Sequence, residues 1–327
     1  MNLSSHPLVI VTFSIVVLVM LLLDLGVFNR KSHTVSNKEA IIWSVVWISL
    51  SMLFSLFILN QTNVEKFAQF QSAYWIEKAL SVDNLFVFIL VFGYFNVPKE
   101  VHHKVLFWGI IGALFMRALF IFSGVELINI TYLPEFEFLG KSLKVNFLLL
   151  VFGVFLVYAG VKSALVNDED DDEKDFSKSP GARVVQRFFK VSNDFDGDRF
   201  FTIKNGVKLA TPLLVVVGVI EFTDLLFAVD SIPAIFAIAP DDPLILYTSN
   251  IFAILGLRSL YFLLANFIHM FSKLKYGLAV ILTFIGLKMV VSPIIHVDSL
   301  VSLSIVFGVL VLALIWSVLS SKNEAKS

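Results

Sequence analysis

Long apolar runs separated by short polar stretches dominate the chain, and each run has about the length of a membrane-crossing helix, ~20 residues. Nine such runs occur, at Leu8–Phe28, Ala40–Leu59, Phe70–Phe95, Val105–Leu127, Val145–Leu165, Ala210–Ile238, Leu244–Phe267, Tyr276–Val291 and Leu300–Leu319. The pattern predicts an all-α polytopic membrane protein with nine transmembrane helices. The first run is too long for the apolar core of a signal peptide, has no Lys or Arg before it and leads directly into NRKSHTVSNK, so it reads as a retained span.

Polar residues inside these runs repeat. EKALSVDNLFVF (Glu77 to Phe88) aligns without a gap on DLLFAVDSIPAI (Asp224 to Ile235), matching Glu77 with Asp224, Asp83 with Asp230 and Asn84 with Ser231. The next run of each set supplies an arginine, Arg117 in GALFMRALFIF and Arg258 in AILGLRSLYFL, and the one after supplies a lysine, Lys162 in VYAGVK and Lys288 in TFIGLK. Three ordered matches predict a duplicated three-helix unit. Three is odd, so the second copy enters the membrane from the opposite side. Inverted repeats of this kind are the usual architecture of secondary transporters, whose site lies near the bilayer midplane at the repeat interface. The predicted organisation is residues 1–69 as the first two spans and their loop, 70–165 as the first repeat, 166–209 as a cytoplasmic loop, 210–293 as the inverted second repeat, and 294–327 as the last span and tail.

An ionised carboxylate at mid-membrane costs at least ~2.5–3.5 kcal/mol, so acids there imply partners. Glu77 and Asn84 share a helix face with Asp83 about 100° round from Asn84; Asp224, Ser231 and Asp230 repeat this, and Glu221 sits one turn before Asp224. Two such faces brought together offer carboxylate, amide and hydroxyl oxygens, the donor set of a hard cation such as manganese, magnesium or calcium. Pro233 cannot donate to the Val229 carbonyl and is expected to bend or unwind its span beside Asp230. The competing structural reading pairs the acids with Arg117, Arg258, Lys78, Lys162 or Lys288. Arg117 and Arg258 read as counterions, since an arginine repels a metal cation. Lys162 and Lys288 read as snorkelling span-end residues. Asp24 and the histidines near span ends, His102, His103, His269 and His296, read as interfacial.

Composition agrees with a membrane chain: 57% of residues are hydrophobic and 16% charged, with 34 Phe. The absence of cysteine excludes disulfides, thiolate metal sites and dithiol chemistry by the chain itself. No basic stripe suggests nucleic acid. Lys and Arg cluster after spans one, three, seven and nine, which places the N-terminus outside and the C-terminus in the cytoplasm. The long loop from Val166 to Lys208 joins the cytoplasmic set. Its acidic run, Asp168 to Asp175, reads as a solvated linker, and GARVVQRFFKVSNDFDGDRFF as two short amphipathic stretches along the membrane surface. Its NDFDGD lacks the Glu that a calcium loop requires.

The stretches WIEKALSVDNLFVFILVF, EFTDLLFAVDSIPAIFAI and LLLDLGVFNRKSHTVSNKEA resemble the signatures of the TerC/Alx family of bacterial integral membrane proteins, within the LysE-like transporter group. The resemblance covers nearly the whole chain. It implies a nine-span plasma-membrane protein of metal-ion homeostasis, several members being manganese exporters and others carrying labels of tellurium resistance, alkaline response or redox modulation. It implies Glu77, Asp83, Asn84, Glu221, Asp224, Asp230 and Ser231 as metal ligands. The expectation is therefore a divalent metal-ion transporter, exporting manganese(II) by alternating access with proton coupling, with Asp83 and Asp230 as the essential ligands. The expected partners are the metal ion as cargo, the lipid bilayer and proteins at the cytoplasmic loop; no enzymatic activity, cofactor or nucleic acid is expected. The alternatives are a handler of tellurium oxyanions, which the clustered acids disfavour, and a redox-modulating membrane scaffold without direct metal transport.

Overall fold

The structure, a computed structural model, describes residues 6–28, 36–138, 141–165, 175–204, 206–267, 274–295 and 297–324, the side chains of 23–28, 83, 136–138, 141–143, 229–230, 266–267 and 321–324 excepted. Among the described residues eleven α-helices carry the fold: α1 (Pro7–Phe28), α2 (Asn37–Gln61), α3 (Val64–Tyr94), α4 (His102–Ile130), α5 (Phe147–Leu165), α6 (Pro180–Phe188), α7 (Pro212–Phe236), α8 (Pro243–Leu255), α9 (Leu257–Phe267), α10 (Leu274–Val291) and α11 (Ser299–Glu324). Their starts follow local capping chemistry. Asn63 accepts from the Lys66 amide at 2.9 Å to open α3, Asp242 accepts from the Ile245 amide to open α8, and prolines occupy the first helical position of α6, α7 and α8, where no intrahelical donor is lost.

Among the described residues seven helical segments are long and apolar enough to cross a membrane: α2, α4 with the short turn before it, α5, α7, α8 with α9, α10 and α11. The two remaining expected spans fall short for different reasons. α3 is long enough at 31 residues but carries Glu65, Lys66, Glu77, Lys78 and Asp83. The described apolar part of α1 stops at Leu22.

Four helices make the centre, with α3 packed on α8, α4 on α7, and the two pairs packed on each other. The α8–α9 segment is the most enclosed span, whereas α1, α2, α5 and α11 turn large side chains such as Leu18, Leu53, Leu165 and Leu312 outward, as lipid-facing helices do. α5 packs along α10 in an antiparallel contact. A Cβ placed on Gly160 would meet the Ala279 carbonyl oxygen at 2.7 Å and the Thr283 nitrogen at 2.8 Å; one on Gly286 would meet the Gly153 oxygen at 2.6 Å and the Val157 nitrogen at 2.7 Å. The alignment that matches Lys162 with Lys288 also matches Gly160 with Gly286, Gly153 with Ala279 and Val157 with Thr283. The two helices therefore exchange the same contact in both directions.

Two sequence expectations change here. α7 runs without interruption through Pro233 and ends three residues later, so the proline does not unwind the helix beside Asp230. The break lies instead in the next span, at Gly256 between α8 and α9. The segment after the acidic run is likewise one amphipathic helix, α6, followed by an antiparallel hairpin of β3 (Phe201–Lys204) and β4 (Val207–Ala210), rather than two amphipathic stretches. A second hairpin, β1 (Phe136–Phe138) with β2 (Lys141–Leu143), joins α4 to α5. Residues 168–174 of the acidic run lie outside the described residues. Asp175 ties the start of the α6 segment to the end of α3: it accepts from the Tyr94 hydroxyl at 2.6 Å, and its ion pair with Lys178 and its hydrogen bonds from Ser177 and Tyr94 hold its carboxyl well below the usual carboxylate range.

Candidate ion site

Each of the four central helices contributes one polar residue to a single buried cluster. Arg117 of α4 is wholly enclosed; its Nη1 donates to Glu77 Oε1 of α3 and, at 3.1 Å, to Asn250 Oδ1 of α8, while Nη2 donates to Asp224 Oδ1 of α7 at 3.3 Å. A guanidinium presents several donors in a fixed fork, which is why one side chain can hold acceptors from three neighbouring helices. Ser81 adds a long hydrogen bond to the same Glu77 oxygen at 3.5 Å. The counterion role expected of Arg117 is thus met by named partners, and the repeat-matched pair Glu77 and Asp224 is brought together through it.

The cluster leaves donors and acceptors over. Among the described residues Glu77 Oε2, Asn250 Nδ2 and Arg117 Nε are buried without a hydrogen-bond partner, as is Ser231 Oγ seven residues after Asp224 on α7, an expensive condition that a further ligand or water would relieve. Asn84 is buried in α3. Glu221 lies one turn before Asp224 with its carboxylate set directly against Gly112 of α4, in the space a Cβ there would occupy. The side chains of Asp83 and Asp230 lie outside the described residues, as does that of Asp24. Among the described residues no three His, Asp or Glu side chains converge as a metal cage, so Glu77, Glu221 and Asp224 do not by themselves form the ligand set expected from sequence.

Two residues that sequence patterns undervalued shape the site. Asn250 belongs to the polar triplet Thr248–Ser249–Asn250 in an otherwise apolar run, which was its visible signal. Lys78, noted only as a partner for the acids, is buried and donates to the Ala253 carbonyl of α8 at 3.2 Å. Ala253 stands in the last turn of α8, where carbonyls lack intrahelical donors, so the ammonium caps the break. Gly256 admits it: a Cβ there would lie 2.6 Å from Lys78 Nζ and 3.3 Å from Trp47 Cβ.

Charge counting sharpens the chemistry. Across the middle of α3, α4, α7, α8 and α9 the acids are Glu77, Asp83, Glu221, Asp224 and Asp230, and the bases are Lys78, Arg117 and Arg258. Three bases match three acids and leave a formal surplus of two negative charges, the charge one divalent cation neutralises. Outside the spans the acids of NDFDGD are occupied: Asp194 with Lys204 at 2.6 Å, Asp196 with Arg199 at 3.8 Å and Asp198 with Lys104 at 3.0 Å. The Lys104 ammonium lowers the Asp198 carboxyl below its ordinary value.

The chain matches the model of the integral membrane protein TerC family over residues 62–325. It is 43% identical over 311 residues to the membrane protein STKORF319 of Myxococcus xanthus, covering 95% of this chain and 92% of that one. It is 42% identical over 324 residues to Alx of Escherichia coli K12, named there as a proposed membrane-bound redox modulator, with 96% and 95% of the two chains covered. Alx of Photorhabdus laumondii is 39% identical over 335 residues, 99% of each chain. No solved structure matches the chain.

Proposed function

The chain belongs to the TerC family of integral membrane proteins, and from that premise we propose that it transports a divalent cation, exporting manganese(II) across the plasma membrane. The observation that carries the reading is the buried polar cluster shared by α3, α4, α7 and α8, in which one guanidinium faces two acids and Glu77 Oε2 has no partner among the described residues, within helices whose formal surplus is two negative charges. Arg117 already serves both Glu77 and Asp224, so the cation is assigned to Asp83 and Asp230, the residues matched across the two repeats. Protons replacing the cation on these carboxylates couple export to the proton gradient.

The mechanism is alternating access between two inverted halves, α3–α5 and α7–α10, within a nine-span protein whose C-terminus is cytoplasmic. The reciprocal antiparallel contact of α5 and α10 supports this. Two antiparallel helices that trade equivalent contacts are related by a two-fold axis perpendicular to them, and for spanning helices that axis lies in the membrane plane, as an inverted repeat requires. No step of this cycle needs an enzymatic reaction or a resident cofactor. The chain has no cysteine, so thiol exchange is not part of its own chemistry.

Purified protein in liposomes, with manganese, calcium, magnesium and proton fluxes followed in parallel, tests the proposal. Manganese flux is expected in the parent and its loss in Asp83→Asn and Asp230→Asn; flux of another ion without manganese would overturn the cargo, and undiminished flux in both variants would overturn the site. Gly112→Ala probes Glu221 separately. The new methyl displaces only the end of a flexible side chain, so the melting temperature should barely move while manganese flux falls severalfold, with Glu221→Gln matching it. A large stability loss with unchanged flux would make Glu221 a packing residue.

A further inference from the structure

Two cavities share α3, α4 and α9 as walls, the inner one adding α7 and α8. The outer one, of about 470 Å³, opens beside the α3–α4 connection and is lined by Phe92, Gly93, Asn96, His102 and Tyr261. The inner one, of about 20 Å³, has room for a single water and reaches Asp224 and Arg258, with Phe88, Leu106 and Leu257 in its wall. The helical register links them. Phe88 and Phe92, Leu106 and His102, and Leu257 and Tyr261 are each one turn apart on one helix, so each of the three helices lines both cavities at neighbouring turns.

In the outer cavity the three residues one turn from the inner lining close on one another. Phe92 stacks on His102 at 4.2 Å between ring centroids and meets Tyr261 edge-on at 5.4 Å. His102 Nε2 lies 3.0 Å from the Val97 carbonyl, which can only accept, so Nε2 carries the proton; Nδ1 accepts from the Tyr261 hydroxyl at 3.0 Å. Lys99 also lines the outer cavity and repels a cation there, so residence falls to the inner one, which Asp224 lines.

We propose that the two cavities are one access route between Asp224 and the face of the protein carrying residues 95–101, and that the Phe92–His102–Tyr261 cluster is its gate. The identity of the cargo rests on the transport reading above; the route itself rests on geometry.

The cysteine-free chain makes the test direct, because any introduced thiol is the sole target. Gly93→Cys places a thiol in the outer cavity, where a Cβ meets nothing within 4 Å, and Ala113→Cys places one at the buried wall of the inner cavity. Lys99→Cys identifies the loop face. A small membrane-impermeant thiol reagent is applied to either face of membrane vesicles. Gly93→Cys should react from the Lys99 face only, and Ala113→Cys should be protected until Phe92→Ala is added, then react from that face at least about tenfold faster, the effect of losing one ring contact and loosening one hydrogen bond.

Equal reaction of Ala113→Cys with and without Phe92→Ala, faster reaction from the opposite face, or no reaction of Gly93→Cys from the Lys99 face would overturn the route. Should Phe92→Ala fail to give a monodisperse protein, Phe92→Leu is read against the same outcomes. Thiol reactivity requires no transport, so loss of the cargo assignment and loss of the route are separate results.

Discussion

Arg117→Met is expected to cost the protein about 3–5 kcal/mol, the usual penalty for removing one partner of a buried ion pair, and to yield aggregated material in mild detergent. The reason is that Glu77 has no exposure and Asp224 very little, and both take a guanidinium hydrogen bond; the one other donor to either among the described residues is the long contact from Ser81 to Glu77, which brings no charge. Asn250 loses the donor to its side-chain oxygen at the same time. Arg117→Lys keeps the charge but not the fork, and one ammonium cannot serve acceptors on three helices in that geometry, so an intermediate loss is expected. The informative variant combines Arg117→Met with Glu77→Gln and Asp224→Asn. Removing the charges together eliminates the uncompensated carboxylates, and most of the lost stability should return, measured by thermal unfolding in detergent alongside the size-exclusion profile. A combined variant no more stable than Arg117→Met alone would mean that Arg117 acts through its bulk.

This cluster also marks the limit of what sequence could reveal. Apolar run length located the helices within a few residues because lipid imposes one length on every span, and α2, α5, α7 and α10 start and stop close to the predicted positions. Burial of the acids followed from the same pattern. Their partners did not: that Arg117 reaches Glu77, Asp224 and Asn250 depends on how four helices cross, which no local spacing encodes.

Pro233 was expected to break its helix and does not, whereas Gly256, on which no expectation rested, marks the break. A proline removes one hydrogen bond, and a helix packed on its neighbours can absorb that loss, as α7 does. A glycine in an apolar run looks innocuous, yet at Gly256 its missing side chain makes room for the Lys78 ammonium to cap a broken helix. The asymmetry between the halves, expected at Pro233 in the second copy, is still in the second copy but one helix later.

Gly160→Ala and Gly286→Ala should each destabilise by about 1–3 kcal/mol, the cost of overpacking a tight contact, and by similar amounts. Each added methyl would fall within 3 Å of backbone atoms on the facing helix, and backbone cannot rotate aside, so α5 and α10 must separate. Small residues at such crossings let spanning helices approach closely, which is where their packing energy comes from in lipid. Similar costs follow from the reciprocity of the contact: Gly160 meets Ala279 and Thr283, and Gly286 meets the residues matched to them, Gly153 and Val157. The double variant should cost less than the sum of the two, because the separation that accommodates one methyl also makes room for the other. Gly308→Ala is the control. A Cβ there meets nothing within 4 Å, and alanine favours the helix by about 0.5–1 kcal/mol, so this change should be neutral or stabilising. Thermal unfolding of the four variants in one detergent decides the matter. Two single costs that differ severalfold, or a double cost equal to the sum, would mean that α5 and α10 do not meet about a shared two-fold axis, and the inverted arrangement of the halves would lose its main physical support.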